Sequence, residues 1–340
     1  MFMRCLPDPT EGIAGLLPMW CTGVPARRYT PPVITFEDIR TASTRIGPYI
    51  HRTPVMTSAT LDRELGASVF FKCENLQKVG AFKARGAVNA VLSLDDETAT
   101  RGVVTHSSGN HGQALAYAAS IRGIPCAVVM PDTAPKVKVD AVRGYGADVV
   151  FCAQSQREAT AERVRAERGA TMVHPFEDPT VIAGQGTAML ELAEQMGDSD
   201  LVVAPIGGGG LLSGTAIAAT ALLPGTRVVG AEPELVDDAY RSLVSGFRQP
   251  RVPRPGTLAD GLLTGIGARP FRILSEFHIR VVTVTEDQIV AAARFFVERM
   301  KLVVEPSGAT SLAAVRAMGV HGLRVGVIVS GGNTDFSWLT

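Results

Sequence analysis

The stretch Asn75-Leu-Gln-Lys-Val-Gly-Ala-Phe-Lys83-Ala-Arg-Gly86 decides how the rest of this chain is read. It follows Ala67-Ser-Val-Phe-Phe-Lys-Cys73, whose β-branched and aromatic residues predict a buried strand. It leads into a helix-like segment over 84–92, so Lys83 falls where a loop turns into a helix. The positive end of a helix dipole opposes a lysine's own charge and makes the neutral amine easier to reach. A neutral amine is a nucleophile able to form a Schiff base. A lysine taken at random is one more solvated cation, so the case for Lys83 depends on what the remaining sequence supplies around it.

With 340 residues and 46% hydrophobic content, the chain can bury a large core or two domains sharing an interface. Lys plus Arg and Asp plus Glu stand at 33 each, so no net field draws in nucleic acid or a membrane surface. The 19% charged residues and 35 glycines fit an α/β enzyme with many tight turns. Cys5, Cys21, Cys73, Cys126 and Cys152 are scattered without metal-ligand spacing, which predicts reduced thiols and a cytoplasmic protein. No apolar run reaches membrane-spanning length. Prolines interrupt the first thirty residues, around Leu16-Leu-Pro-Met-Trp20, so no typical signal peptide forms. Residues 1–30 are expected to be a poorly ordered extension outside the fold.

Helical spacing over 34–45 begins beside Thr35, a candidate N-cap. Arg52-Thr-Pro-Val-Met56 reads as extended, because proline biases its predecessor away from helix. From Gly102 short apolar runs alternate with amphipathic helices. Strands are predicted over 103–105, 126–130, 147–151 and 171–173, with helices over 112–122, 136–143 and 157–167. A second series has helices over 182–196 and 211–223 and strands over 201–204, 228–231, 280–283 and 324–329. Residues 248–255 are rich in proline and arginine and predict a surface loop. Such alternation predicts parallel sheets with helices on their faces, in two α/β lobes with a cleft between them.

Gly207-Gly-Gly-Gly210 follows a predicted strand and opens a helix. Glycine there lets backbone N–H groups converge on an anion, and the helix N-terminus adds its dipole, a fit for phosphate. It is neither a Walker A loop nor a GxGxxG dinucleotide turn. Thr105-His-Ser-Ser-Gly-Asn-His-Gly112 also lies between strand and helix. It reads equally as a carboxylate cradle or as an ordinary N-cap through Ser108 or Asn110. His106 and His111 lack a third ligand nearby, so packing is the better account of them than a metal. Val329-Ser-Gly-Gly-Asn-Thr-Asp335 closes the last strand, and ligands in open α/β sheets bind beyond the carboxyl ends of strands. Glu232-Pro-Glu-Leu-Val-Asp-Asp238 offers carboxylates around a carbonyl, suited to a hard cation, although acidic helix starts are common.

Together Ala81-Phe-Lys83-Ala-Arg-Gly-Ala87, Ser107-Ser-Gly-Asn-His-Gly-Gln-Ala114, Gly207 to Gly210 and Ser330-Gly-Gly-Asn333 resemble, in order and spacing, the serine racemase and threonine dehydratase family. The similarity runs from about Phe36 to Phe336. It implies the α/β fold type II of pyridoxal 5'-phosphate (PLP) enzymes, with the cofactor in the cleft between two open twisted parallel-sheet lobes. The smaller, mobile lobe is expected over 102–178 and the cofactor-binding lobe over 31–101 plus 179–340. By the same resemblance Lys83 carries the cofactor and moves the α-proton, and Phe82 stacks on its ring. Asn110 meets the ring hydroxyl, Gly207, Gly208, Gly209 and Gly210 hold the phosphate, Ser330 faces the ring nitrogen and Glu305 lies close by. Ser107, Ser108, Gly109, Asn110 and His111 hold the substrate carboxylate, Thr264 lies near the substrate, and Ser108 stands across the α-carbon from Lys83. Glu232, the Val236 carbonyl and Asp238 match a divalent-cation site (Mg²⁺, Ca²⁺ or Mn²⁺). Thr257-Leu-Ala-Asp-Gly261 also matches, and Lys78 and Tyr145 align with parts of a subunit-interface ATP site.

The reaction implied is β-elimination from a small hydroxy-amino acid, L-threonine or L-serine, giving a 2-oxo acid and ammonia, by a homodimer. A serine hydroxyl at 330 does not protonate the ring as an aspartate would, which weakens the electron sink and favours losing the β-hydroxyl. Phe176 and the Leu263-Thr264 pair make the pocket less polar than in serine racemases and suit a threonine methyl. Arg157 aligns with an arginine that can meet a distal carboxylate, and reads equally as a solvated helix residue. Serine racemisation and threo-3-hydroxyaspartate dehydration are the alternatives on the same site. Cysteine-synthase-like β-replacement fits the Ser107-Ser-Gly-Asn-His loop less well, and a PLP-binding sensor would be free to lose Lys83, Asn110 and Ser330. The chain ends at Thr340, so feedback through a C-terminal regulatory domain is not expected.

Overall fold

The short apolar runs pair into two sheets in a computed structural model that describes residues 34–253 and 256–339. The expectation for residues 1–30 lies outside the described residues. The strands are β1 (Val55–Met56), β2 (Ser68–Cys73), β3 (Val103–His106), β4 (Cys126–Pro131), β5 (Asp148–Cys152), β6 (Thr171–Met172), β7 (Leu201–Pro205), β8 (Arg227–Pro233), β9 (Arg280–Val284) and β10 (Arg324–Val329). One sheet has the order β1-β2-β10-β7-β8-β9, the other β5-β4-β3-β6. All pairings are parallel except β1 with β2.

Parallel strands need crossovers, and helices supply them. Before β3 come α1 (Phe36–Ile46), α2 (Ala59–Leu65), α3 (Lys83–Leu92) and α4 (Asp96–Thr100). Around the four-stranded sheet run α5 (Asn110–Arg122), α6 (Lys136–Gly144) and α7 (Arg157–Arg168). Then follow α8 (Pro179–Met196), α9 (Gly210–Leu222), α10 (Asp238–Ser245), α11 (Ala268–Glu276), α12 (Glu286–Phe295) and α13 (Pro306–Met318). Thr35 does cap α1, in a reciprocal box with Asp38. Helix α8 starts three residues before its apolar spacing does, because Asp178 caps it and Pro179 occupies the first turn. Among the described residues no helix is long and apolar enough to cross a membrane.

The central strands β4, β7 and β10 are buried on both faces, which is why they read as continuous apolar runs. In β10, Val325, Val327 and Val329 join one core cluster while Ile328 joins the other. In β4, Val128 and Met130 face one cluster and Ala127 and Val129 the other. Each such valine buried contributes about 1.5–3 kcal/mol.

Helix α8 fixes what surrounds it. A Cβ on Gly184 would lie 2.6 Å from Gly86 Cα in α3, and one on Gly214 of α9 would lie 2.6 Å from Gly186 N. Backbone thus meets backbone where α8 crosses both neighbours. Beside the α3 crossing lies a buried ionic cluster. Arg85 bonds Glu74 at 2.6 and 2.8 Å and Glu191 at 2.8 and 2.9 Å. Lys72 bonds Glu191 at 2.6 Å and Gln195 at 2.8 Å. Two cations and two carboxylates balance there, and removing one partner from such a group costs about 3–5 kcal/mol.

Candidate active site

The start of α3 and the carboxyl ends of β3, β7 and β10 open onto one cavity of about 1510 Å³. The segment leading to Lys83 is laced to the end of β10. Phe82 N donates to the Ser330 carbonyl at 3.0 Å and Gly332 N to the Gly80 carbonyl at 2.9 Å, around an Ala81–Gly331 bridge. Lys83 and the buried Ser330 are thereby held in the same wall.

Lys83 is the first residue of α3, and its Nζ donates to the Pro175 carbonyl at 3.0 Å and lies 5.0 Å from the Phe82 ring centre. Part of the residue faces the cavity, yet its ammonium is enclosed by protein, and no carboxylate pairs with it among the described residues. Burial lowers its pKa to about 8. Desolvation is therefore the leading cause of this lowering, where the sequence pointed to the helix dipole.

The tetraglycine turn is packed from both sides. Gly209 has φ +88 and caps α9 without a side chain. A Cβ on Gly208 would fall 2.2 Å from the Phe176 ring, and one on Gly209 would fall 2.7 Å from Pro270. An anion thus meets only backbone there, at an uncapped helix start. At the second turn Gly109 is the N-cap of α5 and has no side chain to offer. Ser107 Oγ accepts from Gly109 N at 3.3 Å, so neither Ser108 nor Asn110 caps the helix. The ordinary side-chain cap is therefore not made at this helix start. Ser107, Ser108, Gly109, Asn110 and His111 all line the cavity. His111 is buried, with Nε2 3.1 Å from the Val173 carbonyl, and burial holds its pKa well below the usual range.

Asn110 Nδ2 donates to Glu305 Oε1 at 3.0 Å and Oε2 at 3.2 Å. Asn333 Nδ2 donates to Asn110 Oδ1 at 3.0 Å and to the Val79 carbonyl at 2.7 Å. Burial pushes Glu305 up to about 7, and the neighbouring charge of Asp260 adds to the rise. Lys138 reaches Asp260 at 2.7 Å at the cavity wall. Arg157 and Thr264 line the cavity as expected, and Arg157 Nε is buried with no hydrogen-bond partner. Sequence reasoning assigned no role to Asn333, although it stood inside the quoted Ser330-Gly-Gly-Asn333 motif, nor to the Pro175 carbonyl, which leaves no residue-type signal.

Glu232 and Asp238 lie outside the cavity lining, both buried. Glu232 accepts from Ala239 N at 3.0 Å and Tyr240 N at 2.8 Å, and Asp238 accepts from Ile266 N at 2.8 Å. Burial raises Glu232 to about 8 and raises Asp238 as well. Among the described residues no group of three or more His, Cys, Asp or Glu side chains is placed to hold a metal. Lys78 and Tyr145 do not line the cavity, and Tyr145 packs edge-on against Tyr117 at 5.7 Å.

Comparison with known proteins is consistent with this geometry. The profile of the family described as "Pyridoxal-phosphate dependent enzyme" matches residues 46–331. The chain is 50% identical to a serine racemase of Dictyostelium discoideum, over 89% of this chain and 96% of that protein. It is 49% identical to a beta-hydroxyaspartate dehydratase of Paracoccus denitrificans, over 90% of this chain and 98% of that protein. The crystal structure of a T.th. threonine deaminase superposes with a TM-score of 0.85 at 45% identity, covering 90% of this chain and all of that one. By the family profile, these relatives and the shared fold, the chain belongs to the pyridoxal-phosphate-dependent enzymes of fold type II.

Proposed function

We propose that the protein is a PLP-dependent hydroxy-amino-acid dehydratase that converts L-threonine and L-serine to the 2-oxo acid and ammonia by α,β-elimination. The observation that carries this reading is an enclosed amine that donates to a carbonyl and, among the described residues, has no carboxylate partner, in one cavity with a glycine turn free of side chains and an uncapped helix start. Those residues fit the cofactor: Lys83 to attach it, Gly207 to Gly210 for its phosphate, and Phe82, Asn110, Glu305 and Ser330 around its ring. Bound there, PLP withdraws electrons from the substrate's α-carbon.

The Ser107 hydroxyl and the first N–H groups of α5 bind the α-carboxylate, with the helix dipole favouring the anion. Lys83 Nζ takes the α-proton, a task suited to an amine whose pKa burial has already lowered. Ser330 offers a neutral hydroxyl in place of a carboxylate, which leaves the electron sink weak and favours prompt loss of the β-hydroxyl as water. Ser108 is the second proton-handling group of the cavity and brings serine racemisation within the same site. Phe176 and Leu263 give the substrate side chain apolar surroundings.

A second reading, 3-hydroxyaspartate as substrate, is favoured by the buried, unpartnered Arg157 Nε, which is suited to a distal carboxylate. The half-identical dehydratase relative supports it. In this proposal residues 102–178 close as the smaller lobe, Glu232, Asp238 and the Val236 carbonyl hold a divalent cation, and the enzyme is a cytoplasmic homodimer. Lys78 and Tyr145 are its candidate ATP contacts.

Purified protein is expected to show a visible band from PLP attached to Lys83, absent in Lys83→Ala. Oxo-acid release is then compared for L-threonine, L-serine, D-serine and both 3-hydroxyaspartate diastereomers, with Mg²⁺ and with a chelator. An intact band with no turnover of any of them would overturn the dehydratase reading. Turnover indifferent to the chelator removes the cation from it.

A further inference from the structure

Asn333 is tied on both sides of its amide. Its Nδ2 donates to the Val79 carbonyl at 2.7 Å and to Asn110 Oδ1 at 3.0 Å, and its backbone N–H donates to Glu305 Oε2 at 3.0 Å. Both N–H bonds of Nδ2 are thus committed to oxygens, which leaves that amide one workable orientation. The same contact settles Asn110: its oxygen receives Asn333, so its NH₂ end turns to Glu305. Val79 has φ +56 and ψ 15, a left-handed backbone that β-branched residues avoid and that persists only where the surroundings enforce it. Gly80 follows at φ +69, and a Cβ there would fall 2.6 Å from Asn333 Oδ1. The turn and the amide are shaped to each other, four residues before Lys83.

We propose that Asn333 is a positioning residue. By donating at once to the Val79 carbonyl and to Asn110 Oδ1, it fixes the direction of the Asn110 amide and anchors the turn from which Phe82 and Lys83 enter the cavity. This rests on the reading of Asn110 as the partner of the cofactor's ring hydroxyl. With its oxygen turned to Asn333, Asn110 presents to the cofactor the NH₂ edge it shares with Glu305, and a donor favours the ionised form of an oxygen acid. Release of the constraint lets the Asn110 amide turn its carbonyl to the ring, which favours the protonated form.

The test uses the holoenzyme and follows its visible absorbance against pH in wild type, Asn333→Ala, Asn333→Asp, Asn110→Ala and the two double variants. The spectral midpoint is expected to rise by about one pH unit in Asn333→Ala. Asn333→Asp, which replaces the donors with an acidic acceptor at the same size, is expected to shift it further. In each double variant the Asn333 substitution is expected to move the midpoint by less than half of what it does in wild type, because the part of its effect that acts through Asn110 is gone and only the anchoring of the Val79 turn remains. In the substrate assay kcat falls more than KM changes. An unshifted midpoint, or shifts that simply add in the double variants, overturns the proposal and leaves Asn333 a scaffold residue. Should Asn333→Ala fail to fold, the Asn333→Asp pair carries the same comparison. The spectrum needs no turnover, so a wild type that shows the band but dehydrates nothing sinks the proposed function alone, and a wild type without the band sinks both.

Discussion

Two strand-to-helix turns line the cavity, and they are built on opposite plans. At Gly207 to Gly210 the backbone is crowded, with a Cβ on Gly208 only 2.2 Å from the Phe176 ring. At Ser107 to Asn110 the glycine has open space, with nothing within 4 Å of a Cβ on Gly109. On the proposed function, the first turn is a fixed seat for a group that always has the same shape. On the same reading the second keeps room and polar side chains, as handling substrate and product in each cycle requires. Rigidity belongs where the ligand stays, and slack where it changes.

The sharpest way to break this contrast is Gly208→Ala. Forcing a methyl into the aromatic contact is expected to cost about 3 kcal/mol, roughly a 100-fold loss of PLP affinity, read by spectral titration of the cofactor-free protein. Ser107→Ala should act on the other turn alone. Losing one hydrogen bond to a charged carboxylate raises KM for L-threonine roughly 10-fold, with PLP affinity unchanged.

Between the two turns stands Lys83, and its burial gives a dependence on pH. Below about 8 the folded, cofactor-free chain carries a buried ammonium at a cost the unfolded chain does not bear. The cost fades as pH rises through 8 and vanishes above the ordinary lysine value near ~10.4. Lys83→Met should therefore be more stable than wild type at pH 7, with thermal midpoints converging toward pH 10. Smallest of all, Gly109→Ala should leave PLP affinity within about twofold, as expected of a substitution into open space. An effect as large as that of Gly208→Ala would erase the distinction between the turns.

Strands and turns were legible in the sequence because both depend on local rules. Runs such as Cys126-Ala-Val-Val-Met130 announce buried parallel strands, and the tetraglycine announces a tight strand-to-helix turn. Helices α2, α4 and α10 to α13 were not read from the pattern, several being short and half-buried. The ionic cluster escaped for a different reason. Lys72 and Arg85 look like solvated cations, and only the fold brings Glu191, more than a hundred residues away in sequence, to both. Asn333 and the Pro175 carbonyl were hidden likewise, since an amide or a carbonyl becomes informative only once its partner is in place.

The glycine crossings of α8 have a consequence for how such an enzyme can change. Helix α3 carries Lys83, α9 begins at the tetraglycine turn, and α8 packs backbone to backbone against both at Gly184 and Gly214. The spacing between Lys83 and that turn is therefore set through the close packing of one helix, with Gln185 bonded to Gly86 N beside the α3 crossing. The Ser107 to Asn110 loop, which the proposed function assigns to the substrate carboxylate, hangs from β3 in the other sheet and takes no part in that spacing. Substitutions in that loop can retune what is bound without altering where the amine stands, whereas one methyl group at Gly184 or Gly186 would shift the calibration for every substrate at once.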